Sequence, residues 1–447
     1  MHDVKSIFSE WRRLSWFAVL SSVTLVLGFG RQLVVAAVFG ASRELDVFVA
    51  VMGFFLFLGV QIGNAVENTV VGRCATLERS HLRHEAVAIF RTTALAGVGL
   101  AALSIVVTPI YLKVFFPTFD QIQLRDGETL AIYFALAVIP AILCGAVRGV
   151  LYVVGRFELG FIAGGVLSVV VIGFVLGLGR RIGSDAIAMG YACGNLVVLG
   201  GLLWSLKGSF RSDGDAAHGM QVASESIAGR GLGFVATTGV VVAAEALYLG
   251  VQTTERSFAS LLGAGTVSQF YYAASLIQVI AALVFMPVST SLFPKMARQI
   301  ARDGYPRVQW LRGYVGALLC LGVSGSVVFW WGAEDIVRLV FLHGNFLESD
   351  VPRTAEILRV TGLSLPFLSV GRIFRYAHYS VHRYSPPVIV NLIWCATLAA
   401  LCVVLIPRFS VVGLASASAA GTALAVVSSG ALLAVYVMGC KRDLRQT

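Results

Sequence analysis

The stretch Arg148-Gly149-Val150-Leu151-Tyr152-Val153-Val154-Gly155-Arg156-Phe157 is answered half a chain later by Arg375-Tyr376-Ala377-His378-Tyr379-Ser380-Val381-His382-Arg383-Tyr384. Arginine, tyrosine, valine, arginine and an aromatic ring recur at identical spacing. A second echo sets Gly40, Ala41, Phe48 and Ala50 against Gly263, Ala264, Tyr271 and Ala273. Two echoes at nearly the same long interval mark a duplicated architecture. Arg148 and Arg375 each stand inside a long apolar stretch. A guanidinium at such a depth costs about 3 kcal/mol or more, so each must face a wet cavity or a partner. A duplicated membrane bundle with arginines turned inward predicts a carrier for an anionic cargo.

Composition supports the membrane reading. The 447 residues are 57% hydrophobic and 13% charged, with mean hydropathy +0.83. Soluble domains carry about 25% charged residues, so this chain has too few charges to coat a water-facing surface. Apolar runs of spanning length, about 20 residues each, predict an all-α polytopic protein of about twelve transmembrane helices. The first six are expected at Trp16 to Val38, Asp46 to Val71, Ala88 to Leu112, Thr129 to Val154, Leu159 to Leu178 and Ala186 to Leu206. The second six are expected at Phe234 to Leu262, Gln269 to Phe293, Tyr314 to Trp331, Ala355 to Val381, Pro387 to Ile406 and Val411 to Met438. The polar stretch 207–230, rich in Ser, Gly, Asp and Ala, reads as a cytoplasmic linker between a lobe at 1–206 and a lobe at 231–447.

The net charge of +10 is placed rather than scattered. Alternate loops hold Lys5, Arg12, Arg13; Arg73, Arg79, Arg83; Arg156; Lys207, Arg211, Arg230; Lys295, Arg298, Arg302, Arg307; Arg383; and Lys441, Arg442, Arg445. That is a roughly twofold excess over the intervening loops, which puts both termini in the cytoplasm by the positive-inside rule. Because these residues cap spans instead of forming a basic domain, nucleic acid is not an expected partner. The polar opening His2 to Arg13 lacks a signal-peptide cleavage site. With Phe8 and Trp11 among its basic residues, it is expected to lie as an interfacial helix on the inner leaflet. The 7 cysteines fall mostly within spans and contain no CxxC pair, so neither a disulfide framework nor a metal site is indicated.

Four spans carry the further polar residues that bear on function. Arg31 follows Gly28-Phe29-Gly30 in the first span, and Asp46 stands at the mouth of the second. The two read either as a structural pair or as contacts to an anionic substrate. In the seventh span Glu245, Gln252 and Arg256 share one helical face at i, i+7 and i+11, with Glu255 beside it. One reading is an internal ion pair that fixes packing. The other is a cavity wall on which Arg256 takes a diphosphate and Glu245 or Glu255 exchanges a proton or coupling cation. The tenth span supplies Arg372 and Arg375, followed by His378 and His382. The histidines have no third ligand nearby, so a metal is not expected. Pro140 and Pro366 sit mid-span in corresponding places and read as kinks or as hinges. No P-loop, dinucleotide fingerprint, HExxH or GxSxG occurs, so no catalytic residue and no cofactor is expected.

At its first two spans the run Leu27-Gly28-Phe29-Gly30-Arg31, then Phe39-Gly40-Ala41, Asp46 and Phe48, resembles the MurJ/MviN family of lipid II flippases. That family belongs to the multidrug/oligosaccharidyl-lipid/polysaccharide exporter superfamily. The likeness continues through Phe258-Ala259-Ser260, Gly263, Gly265, Val267-Ser268, Tyr271-Tyr272-Ala273, Leu276 and Leu292-Phe293-Pro294. Phe341 to Phe346, Asp350, Thr354-Ala355, Tyr379 and Pro386 extend it over most of the chain. The resemblance implies two six-helix lobes in pseudo-twofold, MATE-like arrangement, a central cationic cavity, and alternating access for a polyprenyl-diphosphate-linked sugar. It makes Arg31 and Asp46 the matching functional positions. It also implies departures: the family's second-span arginine pair falls on Gly59 and Val60, and its Asp-Arg after Tyr-Tyr-Ala falls on Ala274 and Ser275. The two further C-terminal helices that members often carry are expected to be absent.

These observations predict a bacterial inner-membrane flippase for an undecaprenyl-diphosphate-linked glycan, either an exopolysaccharide unit or a lipid II-like precursor. Its expected substrate residues are Arg31, Asp46, Arg148, Gln252, Arg256, Arg372 and Arg375, and its expected partners are that lipid-linked sugar, membrane lipids and a coupling cation or proton. The rivals are a cation-coupled drug antiporter of the same superfamily, in which acidic cavity residues should dominate, and a membrane-embedded glycan ligase or polymerase, which needs a large outer catalytic loop. A non-transporting scaffold would leave the buried charges purely structural.

Overall fold

A computed structural model describes residues 2–74, 79–211, 242, 246–285, 299, 308–381 and 385–446. Every regular element among them is helical, as local hydropathy requires: in hydrocarbon a helix satisfies its own backbone polar groups. In chain order they are α1 (His2–Phe39), α2 (Arg43–Phe55), α3 (Ile62–Cys74), α4 (Arg79–Phe115), α5 (Gln121–Val153), α6 (Glu158–Ile182) and α7 (Asp185–Arg211). There follow α8 (246–260), then α9 (Thr266–Ile280), α10 (Val308–Phe341), α11 (Asp350–Thr361), α12 (Leu365–Ser380) and α13 (Ser385–Gln446). Ten helices, counting α2 with α3 and α11 with α12, are long and apolar enough to cross a membrane. The chain is a multi-pass membrane protein. The last of the ten joins two spans across a break at Ser410, whose φ of 50° is not helical. Eleven of the twelve expected spans therefore correspond to described helices. The seventh is described from residue 246 onward and the eighth only as far as residue 285. Outward-facing Leu95, Val106, Leu176 and Val403 are more than 60% exposed, a surface that lipid covers and water would not tolerate.

Several expectations fall wholly or partly outside the described residues: Glu245, the linker from residue 212 onward, His382, Arg383 and Tyr384. The opening stretch expected to lie along the inner leaflet is the first part of the unbroken helix α1. At 38 residues α1 is about 57 Å long, well beyond a hydrocarbon core of about 30 Å. The two mid-span prolines behave differently. Pro140 is accommodated within continuous α5, whereas Pro366 follows a 3-10 turn, Gly362–Ser364, that interrupts the tenth span.

The second span of each half contains a wide π turn. Leu56–Gln61 separates α2 from α3, and Ala281–Phe285 ends α9. The duplication is thus visible in backbone geometry as well as in sequence. The helix starts repeat too: the amide of Asp46 donates to Ser42 O at 3.0 Å, and that of Gln269 donates to Gly265 O at 2.9 Å.

The described chain divides into two compact units, one built from 1–38, 51–113 and 120–242, the other from 39–50, 114–119 and 243–447. In the first unit, α5 packs on α3 and α7, and α6 on α7. Glycines set the α3–α5 distance: a Cβ on Gly145 would lie 2.1 Å from Gly63 O, and one on Gly149 would lie 2.9 Å from Glu67 O. Small residues let two membrane helices meet backbone to backbone. Around this seam Cys144, Val147, Val150 and Leu151 of α5 close a core with Val70 of α3 and Val198 and Leu202 of α7.

In the second unit, α9 packs on α11, α10 on α11 and α12, and α12 on α13. Gly322 of α10 admits the Pro366 backbone so closely that a Cβ would lie 2.5 Å from Pro366 Cα. Tyr272 is fully buried among Phe341 and Phe346, and its hydroxyl donates to Gly40 O at 2.8 Å. The short segments 39–50 and 114–119, from the first half of the sequence, belong to this unit. Thr118 Oγ1 donates to Ser260 O at 3.1 Å, and the Ser257 hydroxyl donates to Phe115 O.

Candidate functional site: intramembrane charges in the two units

In the first unit the glycine seam brings α3 and α5 close enough for their polar side chains to meet. Arg148 Nε donates to Glu67 Oε2 at 2.6 Å, and its NH2 group donates to Asn64 Oδ1 at 3.1 Å. The side chains of Arg148 and Glu67 are only 21% and 17% exposed, so breaking the pair by removing one partner leaves an uncompensated buried charge, at a cost of about 3–5 kcal/mol. The charge of Arg148 is therefore matched within its own unit. Arg31 has a different partner: its Cζ lies 5.2 Å from the centroid of the Tyr191 ring on α7. A cation over an aromatic face gains about 0.5–2 kcal/mol. Tyr191 is held in turn by the edge of Phe55 at 5.7 Å.

In the second unit Asp46 is spent on backbone. Its Oδ2 accepts from Gly265 N at 2.6 Å, and its Oδ1 accepts from Ser268 N at 2.7 Å and Ser268 Oγ at 2.5 Å. These are the unpaired amides at the start of α9, where a carboxylate also meets the positive end of the helix dipole. Asp46 is 3% exposed and so caps a helix that begins some 220 residues downstream. Gly265 takes φ +81°, and a Cβ there would lie 2.6 Å from Ala41 O; a side chain would prise the cap open. Arg256 on α8 donates from NH1 to Val49 O at 3.1 Å. Beside it in sequence stands Glu255, half-buried. Gln252 stands one turn earlier, half-buried.

On α12, Arg372 and Arg375 are half-buried. Among the described residues neither has a hydrogen-bond or ion-pair partner. The expected site residues are thus distributed: Arg31 and Arg148 in the first unit; Asp46, Gln252, Glu255, Arg256, Arg372 and Arg375 in the second. Sequence reasoning did not single out Glu67, Asn64 or Tyr191, and Ser268 entered only through the family resemblance. A lone acid inside the apolar run 56–71 was the available signal for Glu67; nothing in the sequence marks Asn64 or Tyr191.

The chain resembles known proteins along most of its length. The family model described as "Lipid II flippase MurJ" matches residues 35–439. A probable lipid II flippase MurJ from Bdellovibrio bacteriovorus is 27% identical over 188 residues, 42% of this chain and 36% of that protein. This chain therefore spans about a third of the length of that curated relative. A structure titled as lipid II flippase MurJ in an inward closed conformation superposes with TM-score 0.77 at 17% identity, covering 93% of this chain and 86% of that one. An inward-facing multidrug resistance MATE transporter of the MOP superfamily superposes with TM-score 0.72 at 10% identity, covering 94% and 96%. At these identities the structural likenesses establish the MurJ- and MATE-like helical fold.

Proposed function

The chain belongs to the MurJ family of lipid II flippases, and on that footing we propose that it carries a polyprenyl-diphosphate-linked glycan across the bacterial inner membrane by alternating access. The observation that carries this reading is the presence of Arg31, Arg372 and Arg375 inside helices long and apolar enough to cross a membrane, with Arg256 on the neighbouring α8. Guanidinium groups form paired, charge-assisted bonds with phosphate oxygens. A headgroup bearing two phosphates cannot cross hydrocarbon alone, whereas its lipid tail stays in the bilayer throughout. The family is one of transporters, and the work here is shielding charge rather than making or breaking bonds. Arg31, Gln252 and Arg256 contact the cargo in this reading. Asp46 acts by holding the start of α9, and Glu255 exchanges a coupling proton or cation.

We further propose that the cargo is a lipid-linked oligosaccharide other than lipid II. Gly59 stands in the π turn, where a Cβ would already lie 3.1 Å from the Phe55 ring and 3.2 Å from Ala141 Cβ, leaving no room for an arginine. Ser275 uses its hydroxyl on Tyr272 O at 2.6 Å. Losing several charged hydrogen bonds weakens a diphosphate-peptide headgroup by a few kcal/mol. Expressed at ordinary levels in cells depleted of their lipid II flippase, this protein should rescue growth poorly. In proteoliposomes it should translocate an undecaprenyl-diphosphate oligosaccharide faster than lipid II. Full growth rescue overturns the preference, and absence of translocation for every diphosphate-linked lipid overturns the carrier.

The alternation of basic loops supports a topology with both termini in the cytoplasm. Reporter fusions after Lys207 and after Lys441 are both expected to read cytoplasmic; opposite locations would contradict the parallel-repeat topology.

A further inference from the structure

The repeat makes Arg148 and Arg375 equivalent in sequence, yet their surroundings differ. Arg148 is neutralised by Glu67 at 2.6 Å and held by Asn64. At the same distance along the chain from Arg375, Pro294 stands in place of Glu67, and from residue 256 to residue 302 the sequence contains neither Asp nor Glu. Among the described residues Arg375 has no counter-ion. The second half also has another arginine one turn earlier, because Arg372 and Arg375 are i and i+3 on α12 and lie on one side of it.

Packing explains which side. Val370, Ile373 and Ala377 are buried. Gly371 and Phe374 are closed off by α13: a Cβ on Gly371 would meet Val426 Cγ2 at 2.8 Å, and one on Gly430 would meet the Phe374 ring at 3.0 Å. At 100° per residue these positions span about 160°, somewhat less than half the circumference, and Arg372 and Arg375 both lie outside that arc. A comparison of the arginines isolates the same pair. Arg31 is engaged by Tyr191, Arg148 by Glu67 and Asn64, and Arg256 by Val49 O. Only Arg372 and Arg375 of this set have neither a hydrogen-bond, an ion-pair nor an aromatic partner among the described residues, inside a span where an unmatched cation is costly.

We propose that Arg372 and Arg375 form the diphosphate-gripping site, and that Glu67 silences the equivalent Arg148, so that the two halves are electrically unequal. This rests on the reading that the cargo carries a diphosphate. Two guanidinium groups one turn apart can both reach a pair of linked phosphates, while Glu67 already occupies the place on Arg148 that a phosphate would take.

Inorganic pyrophosphate, titrated calorimetrically into the purified full chain in detergent, tests the assignment. The wild type should bind one equivalent. Arg372→Gln and Arg375→Gln should each weaken binding at least tenfold, while Glu67→Gln should raise the stoichiometry from one to two by unmasking Arg148. If Glu67→Gln does not fold, as judged by gel filtration, the double variant Glu67→Gln/Arg148→Gln replaces it. It buries no lone charge and should keep one site of wild-type affinity, abolished by adding Arg375→Gln. Wild-type binding in Arg372→Gln and Arg375→Gln, a stoichiometry of one in folded Glu67→Gln, or lost binding in the double variant overturns the proposal. Translocation of a lipid-linked glycan that survives unaltered pyrophosphate binding in these variants sinks this site alone. The expected binding pattern without any translocation sinks the carrier reading alone.

Discussion

Replacing Asp46 with alanine is expected to destabilise the protein by about 2–5 kcal/mol, with a corresponding loss of transport. The range combines the removal of a helix cap, worth about 0.5–2 kcal/mol, with one buried donor left stranded, about 1–3 kcal/mol, the remaining donors finding water or each other. The amides of Gly265 and Ser268 and the Ser268 hydroxyl all end on this one carboxylate. Asp46→Asn keeps an acceptor oxygen and should lose about half as much. Thermal unfolding in detergent, read beside translocation in proteoliposomes, checks both variants. A melting temperature for Asp46→Ala equal to that of the wild type would remove the capping role and return Asp46 to direct contact with cargo.

The other large effect is expected at Gly145. A methyl group there would sit 2.1 Å from Gly63 O, 2.6 Å from Gly63 C and 2.9 Å from Gly63 Cα. Those atoms are backbone and cannot rotate away, so α3 and α5 must separate. Overpacking of flexible side chains costs about 1–3 kcal/mol; against rigid backbone Gly145→Ala should reach or exceed the upper end. Because Arg148 and Glu67 face each other across the same seam, the substitution should also break their ion pair. Gly173→Ala, where a Cβ meets nothing within 4 Å, is the control and should leave stability unchanged. Yield of monodisperse protein and its melting temperature decide the matter. Equal behaviour of the two variants would mean that the seam is loose.

Much of the helical architecture was legible in the sequence, because runs of about 20 apolar residues have few alternatives in hydrocarbon. The duplication was legible for a similar reason, since the echoed residues lie at fixed places on repeated helices. What the sequence did not disclose was which charge meets which. Arg148 and Glu67 are 81 residues apart and Asp46 and Ser268 are 222 apart, distances that helix periodicity does not span. Asp46 was therefore expected beside Arg31 or the cargo, and its engagement by the α9 amides appeared only with the fold. The two prolines Pro140 and Pro366 looked equivalent. They differ because the 3-10 turn at Gly362–Ser364 and the close passage of Gly322 break the helix only at the second.

The π turns were illegible altogether, since no residue type announces them. Their effect reaches beyond the turns themselves. A helix that takes on one surplus residue falls out of phase by about 100° from that point on. Asn64 and Glu67 lie immediately downstream of Leu56–Gln61. Struck from the turn, that one residue would swing both a quarter-circle around their axis, away from Arg148. A single-residue deletion between Leu56 and Gln61 would therefore act as a remote charge mutation, changing no ionisable group yet exposing a cation on the neighbouring helix.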